Sequence, residues 1–134
     1  MKLETEIQPQ FSDSDALGHS NYQATVRWFE IGRRPVYQLF APDFEVVRHH
    51  QGLFLVMASM QVDYIAETLI GKVLTVNTWV PHIGKSSFHV EQESYQDGIL
   101  CSKGHLVLVC YNFTTKKSNP IPAAVRSELE QWNG

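Results

Sequence analysis

The segment from residue 21 to residue 40 constrains the fold most, because it carries the one long helical periodicity in the chain. At about 100° per residue, its polar side chains fall within an arc of roughly 80°. They are Gln23, Arg27, Glu30, Arg34 and Gln38. The remaining arc is apolar or aromatic, which predicts a helix covered on most sides by other structure. Pro35 should kink this helix, or end it and start a short second one, because proline lacks an N–H.

Two other parts of the chain show the residue patterns of β-strands: residues 2–10 and most of residues 53–114. Residues 2–10 alternate, and Pro9 favours an edge position or the end of that strand. Four further segments are alternating or rich in β-branched residues: 53–64, 73–80, 86–95 and 99–113. One buried helix followed by four successive strands predicts an α+β layer in which an antiparallel sheet curls around the helix.

Turn residues divide the strand region. Pro81 and Gly84 mark a turn after the second of the four segments. Asp97 followed by Gly98 is the strongest hairpin signal in the chain. Gly104, inside the last strand, is a candidate β-bulge. Near the end of the chain, the sequence predicts a short helix whose apolar docking stripe is formed by Val125, Leu129 and Trp132.

Length and composition predict a single globular domain over residues 1–134. Hydrophobic residues make up 43% of the chain and the net charge is −3, which disfavours a disordered chain and leaves no basic footprint for nucleic acid. No secretory leader is visible, and no apolar run approaches the roughly 18 residues of a membrane span. We therefore expect a cytoplasmic protein with neither a nucleic-acid nor a membrane partner.

Cysteine and histidine show no metal-binding spacing in the sequence. Cys101 and Cys110 fall in one predicted strand, roughly 30 Å apart if it is continuous, so they cannot form a disulfide with each other. We expect both to be small buried residues. His82, His89 and His105 are scattered over separate segments, and no HxxxH or CxxC pattern is present. We expect no metal site.

The segment FSDSDALGHSNY, residues 11–22, joins an acid-rich loop to the start of the predicted helix. Ser20 followed three residues later by Gln23 is the capping-box pattern of a helix N-terminus. The first N–H groups of a helix have no partner within it, so they can hold an oxygen that becomes negative during a reaction. If Ser20 caps Gln23, the N–H of Tyr22 stays available. Asp15 beside such a site provides half of an acyl-transfer mechanism.

Two other charged residues of this region have structural interpretations. Asp13 is expected to hydrogen-bond within its own loop. By spacing alone, Asp15 too could be a loop carboxylate that caps the helix or makes an Asx turn, as aspartates before helices often do. Glu30 is expected to form an ion pair with Arg27 or Arg34, which lie three and four positions away on the helix.

These motifs resemble the hotdog-fold acyl-CoA thioesterases of the 4-hydroxybenzoyl-CoA thioesterase type. The family's DxDxxGH pattern, followed by an asparagine, stands here as Asp13, Asp15, Gly18, His19 and Asn21. Its helix continuation FE-x-x-R stands at Phe29, Glu30 and Arg33. Further similarities are Asp63 with Tyr64, the IGKSSF turn at residues 83–88 and the PIP at residues 120–122. The resemblance spans about residues 7–122.

The resemblance implies a hotdog fold, with a long central helix wrapped by a curled antiparallel sheet, and hydrolysis of acyl-CoA to a free acid and CoA. It assigns Asp15 to attack on the thioester carbonyl, or to activation of the water that attacks. It assigns the backbone N–H of Tyr22 to the oxyanion. His19 and Asn21 are candidates for orienting substrate or water. CoA would be part of the substrate, so no cofactor is expected.

The resemblance also implies a CoA contact and an assembly. The turn of Gly84, Lys85, Ser86 and Ser87 would contact the CoA phosphates or pantetheine, with Lys85 supplying charge and the serines donating hydrogen bonds. The family builds its sites at a dimer interface. An open sheet with exposed edges also favours pairing with a second subunit, so we expect a homodimer or homotetramer.

Two alternative functions stay open. A noncatalytic hotdog module would bind acyl-CoA or an acyl chain in the same pocket without turnover, although the retained Asp15 argues against it. A dehydratase acting on hydroxyacyl thioesters would use His19 with Asp15, although the motif order favours hydrolysis. The chain departs from the family at Ser20 and Tyr22, where an apolar residue and a second asparagine are usual. Because only the backbone acts at Tyr22, that change affects substrate shape more than chemistry.

Overall fold

The computed structural model describes residues 1–14, 22–42 and 52–134. Its helices are α1 Tyr22–Gly32, α2 Arg34–Gln38 and α3 Ala123–Gln131, and a short 3-10 helix covers Phe11–Asp13. Its strands are β1 Leu3–Ile7, β2 Leu53–Tyr64, β3 Leu74–Ile83, β4 Ser87–Gln96, β5 Ile99–Asn112 and β6 Lys117–Ser118. Among the residues so described, no helix has the length and apolar character needed to cross a bilayer.

The strands form one antiparallel sheet in the order β1-β3-β4-β5-β2, with β6 paired to β5. β1 is an edge strand and ends before Pro9, as its sequence predicted. Buried and partly exposed side chains alternate along β3 and β4, so one face of the sheet carries the core. The sheet curls around the helix, which confirms the predicted α+β class.

Helix α1 packs on the concave face of the sheet along one side only. Its buried residues are Ala24, Thr25, Trp28, Phe29 and Gly32. On the other side, Tyr22, Val26 and Ile31 keep 68%, 36% and 47% of their surface exposed. The prediction that the helix is covered on most sides is therefore wrong for a single chain, because the sheet reaches one side of it.

The helical segment is broken at Arg33. α1 ends at Gly32 and α2 begins at Arg34, so Pro35 occupies the first turn of the second helix. This confirms the predicted break, and Pro35 removes no helical hydrogen bond there because first-turn N–H groups lack helical partners. The break leaves Arg33 between the helices, where it is only 4% exposed.

β3 continues through Pro81 to Ile83, so the turn predicted at Pro81 is wrong. Its register with β4 shifts between Trp79 and His82. Over this stretch β3 advances by three residues while β4 advances by two. The N–H of Val80 donates at 2.6 Å to the carbonyl of Trp132, just after α3. Proline is tolerated beside Val80 because the ladder is already interrupted there.

The two predictions for the β4–β5 region have different outcomes. Asp97 and Gly98 have φ values of 50° and 74°, which confirms the hairpin turn. Gly104 is not a bulge, because it pairs in register with both neighbouring strands. A Cβ at Gly104 would lie 2.8 Å from Cε2 of Phe29. Glycine is needed there because the Phe29 ring fills the space of a side chain.

The C-terminal helix and the cysteines behave as the sequence predicted. Val125, Leu129 and Trp132 are buried and join a core cluster that includes Val36, Phe40, Phe88, Leu106 and Leu108. Cys101 and Cys110 are buried free thiols. Burial raises the pKa of the Cys110 thiol to about 11, so this thiol stays protonated at neutral pH.

Replacing Gly104 by alanine tests the contact between α1 and the sheet. We expect Gly104→Ala to lower the free energy of unfolding by roughly 1–3 kcal/mol, because the added methyl group overlaps the Phe29 ring. Urea denaturation measures the difference. Gly71→Ala is the matched control, since nothing lies within 4 Å of a Cβ built there. An equal loss in both variants would contradict the overlap explanation.

Candidate active site

Tyr22, whose N–H is predicted to hold the oxyanion, is the first residue of α1 that the structure describes. That role stays a prediction. The side chain of Tyr22 is largely exposed. The other predicted catalytic residues, Asp15, His19 and Asn21, lie outside the described residues, as do Gly18 and Ser20. Their roles stay predictions.

Tyr64 ties the end of β2 to this helix start. Its hydroxyl donates a hydrogen bond to the carbonyl of Tyr22 at 2.6 Å. Burial first, and then the neighbouring Tyr22, raise the pKa of Tyr64, so the hydroxyl keeps its proton and remains a donor at neutral pH. The sequence showed Tyr64 only as one half of the Asp63 and Tyr64 pair, without a role. The structure gives it one, which is to tie β2 to α1 at the Tyr22 carbonyl.

Asp13 is structural, as predicted. The residue is buried, and its carboxylate accepts hydrogen bonds from the backbone N–H of Gln10 at 2.8 Å and from Nη2 of Arg27 at 2.6 Å. Burial acts to raise the pKa of Asp13, but the hydrogen bonds from Gln10 and Arg27 and the charge of Arg27 lower it overall. Arg27 therefore pairs with Asp13, so the first of the two pairings predicted for Glu30 is wrong, and the second, with Arg34, stays a prediction. The Asp13–Arg27 pair holds the short 3-10 helix Phe11–Asp13 against α1.

The predicted CoA-contact turn connects β3 to β4 and is held by its backbone. The N–H of Gly84 donates to the carbonyl of Ser87 at 2.7 Å, which closes the turn. The carbonyls of Lys85 and Ser86 accept hydrogen bonds from the backbone N–H groups of Ile121 and Cys110. The side chain of Lys85 is exposed. The turn is therefore rigid in its backbone while its charged side chain faces solvent.

Arg126 brings a second positive charge to this turn. Its Nη2 donates to the carbonyl of Gly84 at 2.6 Å. Sequence reasoning missed Arg126 because the contact depends on how α3 packs against the sheet. Lys85 and Arg126 together suit a ligand that carries phosphates.

In one chain, the helix start and the CoA-contact turn do not lie together. Tyr64, which contacts Tyr22, pairs with Ser102 on β5, whereas Ser87 pairs with Val109 on the same strand. The offset of seven residues from Ser102 to Val109 corresponds to roughly 23 Å along the strand. A single chain therefore presents the two parts of the predicted site toward opposite ends of the sheet.

Three histidines that look scattered in the sequence are neighbours on the outer face of the sheet. The ring centroids of His82 and His89 are 5.1 Å apart, and those of His89 and His105 are 5.2 Å apart. Nδ1 of His105 also lies 2.5 Å from Oε1 of Glu91. Adjacent strands bring these positions side by side. Within residues 1–14, 22–42 and 52–134, no three or more His, Cys, Asp or Glu residues are placed to hold a metal ion.

A cleft of about 370 Å³ opens beside the break between α1 and α2. Its lining combines helix residues with residues of β2 and β5: Glu30, Arg33, Tyr37, Phe54, Leu55, Met57 and Leu108. Inside it, Nε of Arg33 donates to the Tyr37 hydroxyl at 2.7 Å. Nη1 of Arg33 lies 3.4 Å from Oε1 of Gln92. The cleft thus places a buried cation against mainly apolar walls.

Gln92 links this arginine to the end of α1. Its Nε2 donates to the carbonyl of Phe29 at 2.7 Å and to the hydroxyl of Thr78 at 2.9 Å. The Thr78 hydroxyl in turn donates to the carbonyl of Gly32 at 3.1 Å. The bond from Thr78 satisfies the carbonyl of Gly32 in the last turn of α1, where a helix has no internal partners. The carbonyl of Phe29 also accepts from the backbone N–H of Arg33 at 3.1 Å, so Gln92 adds a second hydrogen bond to it. The FE-x-x-R spacing was the only sequence signal for this network, and it did not indicate that Arg33 is buried.

Residues 9–129 match the family described as the thioesterase-like superfamily. The chain belongs to this superfamily. It is a thioester hydrolase with the hotdog fold, in which an antiparallel sheet curls around a helix. The resemblance drawn from the sequence motifs is confirmed at the level of fold and enzyme class.

Solved structures of other thioesterases are similar over nearly the whole chain. A predicted thioesterase from Bacillus stearothermophilus is 35% identical, with a TM-score of 0.91 over 98% of this chain and 96% of that one. A thioesterase from Thermus thermophilus, complexed with coenzyme A and Zn, is 28% identical, with a TM-score of 0.82 over 98% and 93%. A 1,4-dihydroxy-2-naphthoyl-CoA thioesterase from Synechocystis, 15% identical, shares the fold with a TM-score of 0.86 over 100% and 99%. No curated protein matches the sequence.

Replacing Asp13 by asparagine tests the bridge between the loop and α1. We expect Asp13→Asn to lower the free energy of unfolding by roughly 1–2 kcal/mol at pH 7, because charge-assisted hydrogen bonds from Gln10 and Arg27 are weakened. The folded state lowers the pKa of Asp13, so its contribution is present above the unfolded value and is lost as the pH falls through the folded value. Urea denaturation should therefore show the difference shrinking below about pH 4.

Asp97→Asn is the matched control for this experiment. Asp97 pairs with Lys72 at 2.6 Å, but both side chains are at least half exposed. Exposed ion pairs contribute little to stability, so the control should change it only slightly at any pH. An Asp13→Asn protein that is as stable as the wild type at pH 7 would contradict the proposed bridge.

Proposed function

We propose that this thioester hydrolase acts on acyl-CoA, releasing a free acid and CoA. The carbonyl carbon gains a bond to oxygen and loses its bond to sulfur, and CoA leaves as a thiolate that takes up a proton. Asp15 acts as the base that activates water or as the nucleophile that attacks the carbonyl. The single observation that carries this proposal is that Tyr22, seven residues after Asp15, lies in α1 with its carbonyl held by the Tyr64 hydroxyl.

The backbone N–H of Tyr22 would hold the oxyanion. The proposal places this N–H in the first turn of α1, where the positive end of the helix dipole would favour an oxygen that becomes negative in the transition state. The hydrogen bond from Tyr64 to the Tyr22 carbonyl supports this role, because it restrains the peptide groups of the first turn. Such a donor acts best when it is already in place before the reaction begins.

His19 and Asn21 complete the proposed catalytic set. Both lie between Asp15 and Tyr22 in the sequence, so a short loop would carry them close to the reacting carbonyl. Each side chain can donate and accept hydrogen bonds, which suits orientation of the substrate or of the attacking water. Neither is needed as a nucleophile.

The CoA moiety would bind the turn of Gly84, Lys85, Ser86 and Ser87. The exposed Lys85, together with Arg126 on the Gly84 carbonyl, gives the turn two positive charges for phosphate groups. The relative from Thermus thermophilus was solved in complex with coenzyme A, which supports a CoA substrate for this chain.

The active protein would be a homodimer or a homotetramer. Among the described strands, β2 pairs only with β5 and leaves its other edge open over twelve residues. The exposed side of α1 adds apolar surface at Val26 and Ile31. Long open edges and exposed apolar patches are typical of surfaces that pair with a second copy. A partner subunit would also bring its own CoA-contact turn close to Tyr22, where a single chain has no such turn.

Asp15→Asn tests the proposed chemistry. We expect the substitution to lower kcat at least a hundredfold, because amide nitrogen and oxygen cannot replace a carboxylate as base or nucleophile. The measurement is thiol release from short, long and aromatic acyl-CoA substrates, with the melting temperature recorded in parallel. Ser12→Ala at an exposed position of the same loop is a control for general loop effects.

The outcomes separate the two main functions. Turnover by the wild type that disappears in a folded Asp15→Asn protein supports the hydrolase with this mechanism. Hydrolysis that survives the substitution would remove Asp15 from the mechanism. If neither protein releases thiol while acyl-CoA still raises the melting temperature, the chain is a noncatalytic acyl-CoA binding module.

Lys85→Met tests the proposed CoA contact. We expect KM for acyl-CoA to rise roughly three- to tenfold with little change in kcat, because one exposed charge-assisted contact to phosphate is lost. The matching acyl-pantetheine lacks the nucleotide phosphates, so its KM should be the same for both proteins. A Lys85→Met effect of equal size on both substrates would show that Lys85 acts elsewhere than on phosphate.

A further inference from the structure

Arg33 is a buried cation without a counter-ion in the described structure. It is 4% exposed, and no described carboxylate lies within ion-pair distance of it. Its Nε and Nη1 contact neutral partners, the Tyr37 hydroxyl and the Gln92 amide oxygen, and Nη2 has no partner among the described residues. Burying an unpaired charge is costly unless something else pairs with it. The arginine is therefore suited to bind an anion.

The Tyr37 hydroxyl adds a second donor at the same place. Because this hydroxyl accepts the hydrogen bond from Nε of Arg33, its own proton is left to donate to another acceptor. Arg33 and Tyr37 both line the cleft of about 370 Å³ beside the helix break. The rest of the lining is mainly apolar, with Phe54, Leu55 and Met57 contributed by β2. A ligand for this cleft would be largely apolar and end in an oxygen that accepts hydrogen bonds.

The cleft lies along α1 from the proposed oxyanion group. Tyr22 and Arg33 are eleven residues apart, which corresponds to roughly 16 Å along a helix. β2 flanks both ends of this path. At one end, Tyr64 of β2 donates to the Tyr22 carbonyl. At the other end, the ring of Phe54 of β2 lies 5.9 Å from the Tyr37 ring, between centroids. An extended acyl group attached at the Tyr22 end would therefore reach the cleft with its far end.

We propose that the Arg33 cleft binds the far end of the acyl group and selects acyl groups that end in a carboxylate. The inference rests on the proposed hydrolysis at Tyr22 and names the substrate class of that reaction. The guanidinium of Arg33 pairs with the terminal carboxylate, the Tyr37 hydroxyl donates a further hydrogen bond, and the walls from β2 cover the methylene chain.

Glu30 is the group that opposes this binding. Its carboxylate also lines the cleft, so it repels an anion held there. Glu30 is exposed, however, whereas Arg33 is buried. Solvent and salt screen an exposed charge more strongly than a buried one, so the attraction to Arg33 is the larger effect. Glu30→Gln should therefore improve binding of a carboxylate-ended acyl group.

The experiment compares dodecanedioyl-CoA with dodecanoyl-CoA, which have equal chain lengths and differ at the far end. We expect the wild type to show the higher kcat/KM for dodecanedioyl-CoA. Arg33→Met should lower kcat/KM for that substrate roughly ten- to hundredfold, as expected for loss of hydrogen bonds to a charged group, and should remove the preference. Lys103→Met, which removes an exposed positive charge from β5, is the matched control and should keep the preference.

Glu30→Gln keeps the test decisive if Arg33→Met does not fold. Because Glu30 is exposed, its amide variant should fold normally, and it should raise the preference for dodecanedioyl-CoA a few-fold. An unchanged or reduced preference in Glu30→Gln would overturn the inference. So would a wild type that hydrolyses dodecanoyl-CoA as well as or better than dodecanedioyl-CoA, and in that case the hydrolase proposal would still stand.

A failure of the hydrolase proposal gives a different result. If neither substrate is hydrolysed, the binding of both is compared by the rise in melting temperature. A larger rise with dodecanedioyl-CoA that Arg33→Met removes would support the carboxylate site in a noncatalytic protein. Equal rises with the two compounds would overturn it.

Discussion

The structure depends on how closely α1 approaches the sheet. Phe29 occupies the space where a side chain of residue 104 would stand, and a Cβ at Gly32 would lie 2.6 Å from Cγ1 of Val76. The buried amide of Gln92 then bonds to the carbonyl of Phe29. Glycine on each side of the interface and one amide between them fix the helix in position. Because the helix is held along this side, its N-terminal turn and the break at Arg33 are placed without support from its exposed side.

The two ends of α1 differ in their chemistry. At Tyr22, Tyr64 holds the backbone carbonyl, and the proposed function assigns the N–H to the oxyanion. At the end, helix carbonyls are satisfied by Gln92 and Thr78, and the positive charge of Arg33 is enclosed. A long acyl group lying along α1 would meet a partial positive charge at its reacting end and a full one at its far end. Between these ends the side chains of β2 are largely apolar.

The sequence predicted those features that depend on local pattern. Periodicity located the helices and strands, Pro35 located the helix break, and Asp97 with Gly98 located the hairpin. Prediction from the sequence was wrong, or missed a contact, where the burial and packing of a residue depend on which strands become neighbours. Gly104 was interpreted as a bulge because the ring that needs its space, Phe29, is distant in sequence. Burial of Arg33, the contact of Arg126 and the grouping of the three histidines likewise arise only after the sheet has formed.

The positions of the two cysteines bear on how turnover can be observed. The reaction releases a thiol, and thiols exchange with disulfides through an accessible thiolate. Cys101 and Cys110 are 2% and 0% exposed, and the pKa of Cys110 is raised to about 11 by burial. Neither side chain competes with the released product for an aromatic disulfide reagent while the chain is folded. Colour developed by such a reagent therefore reports substrate cleavage continuously, and a sudden extra contribution from the protein signals its unfolding.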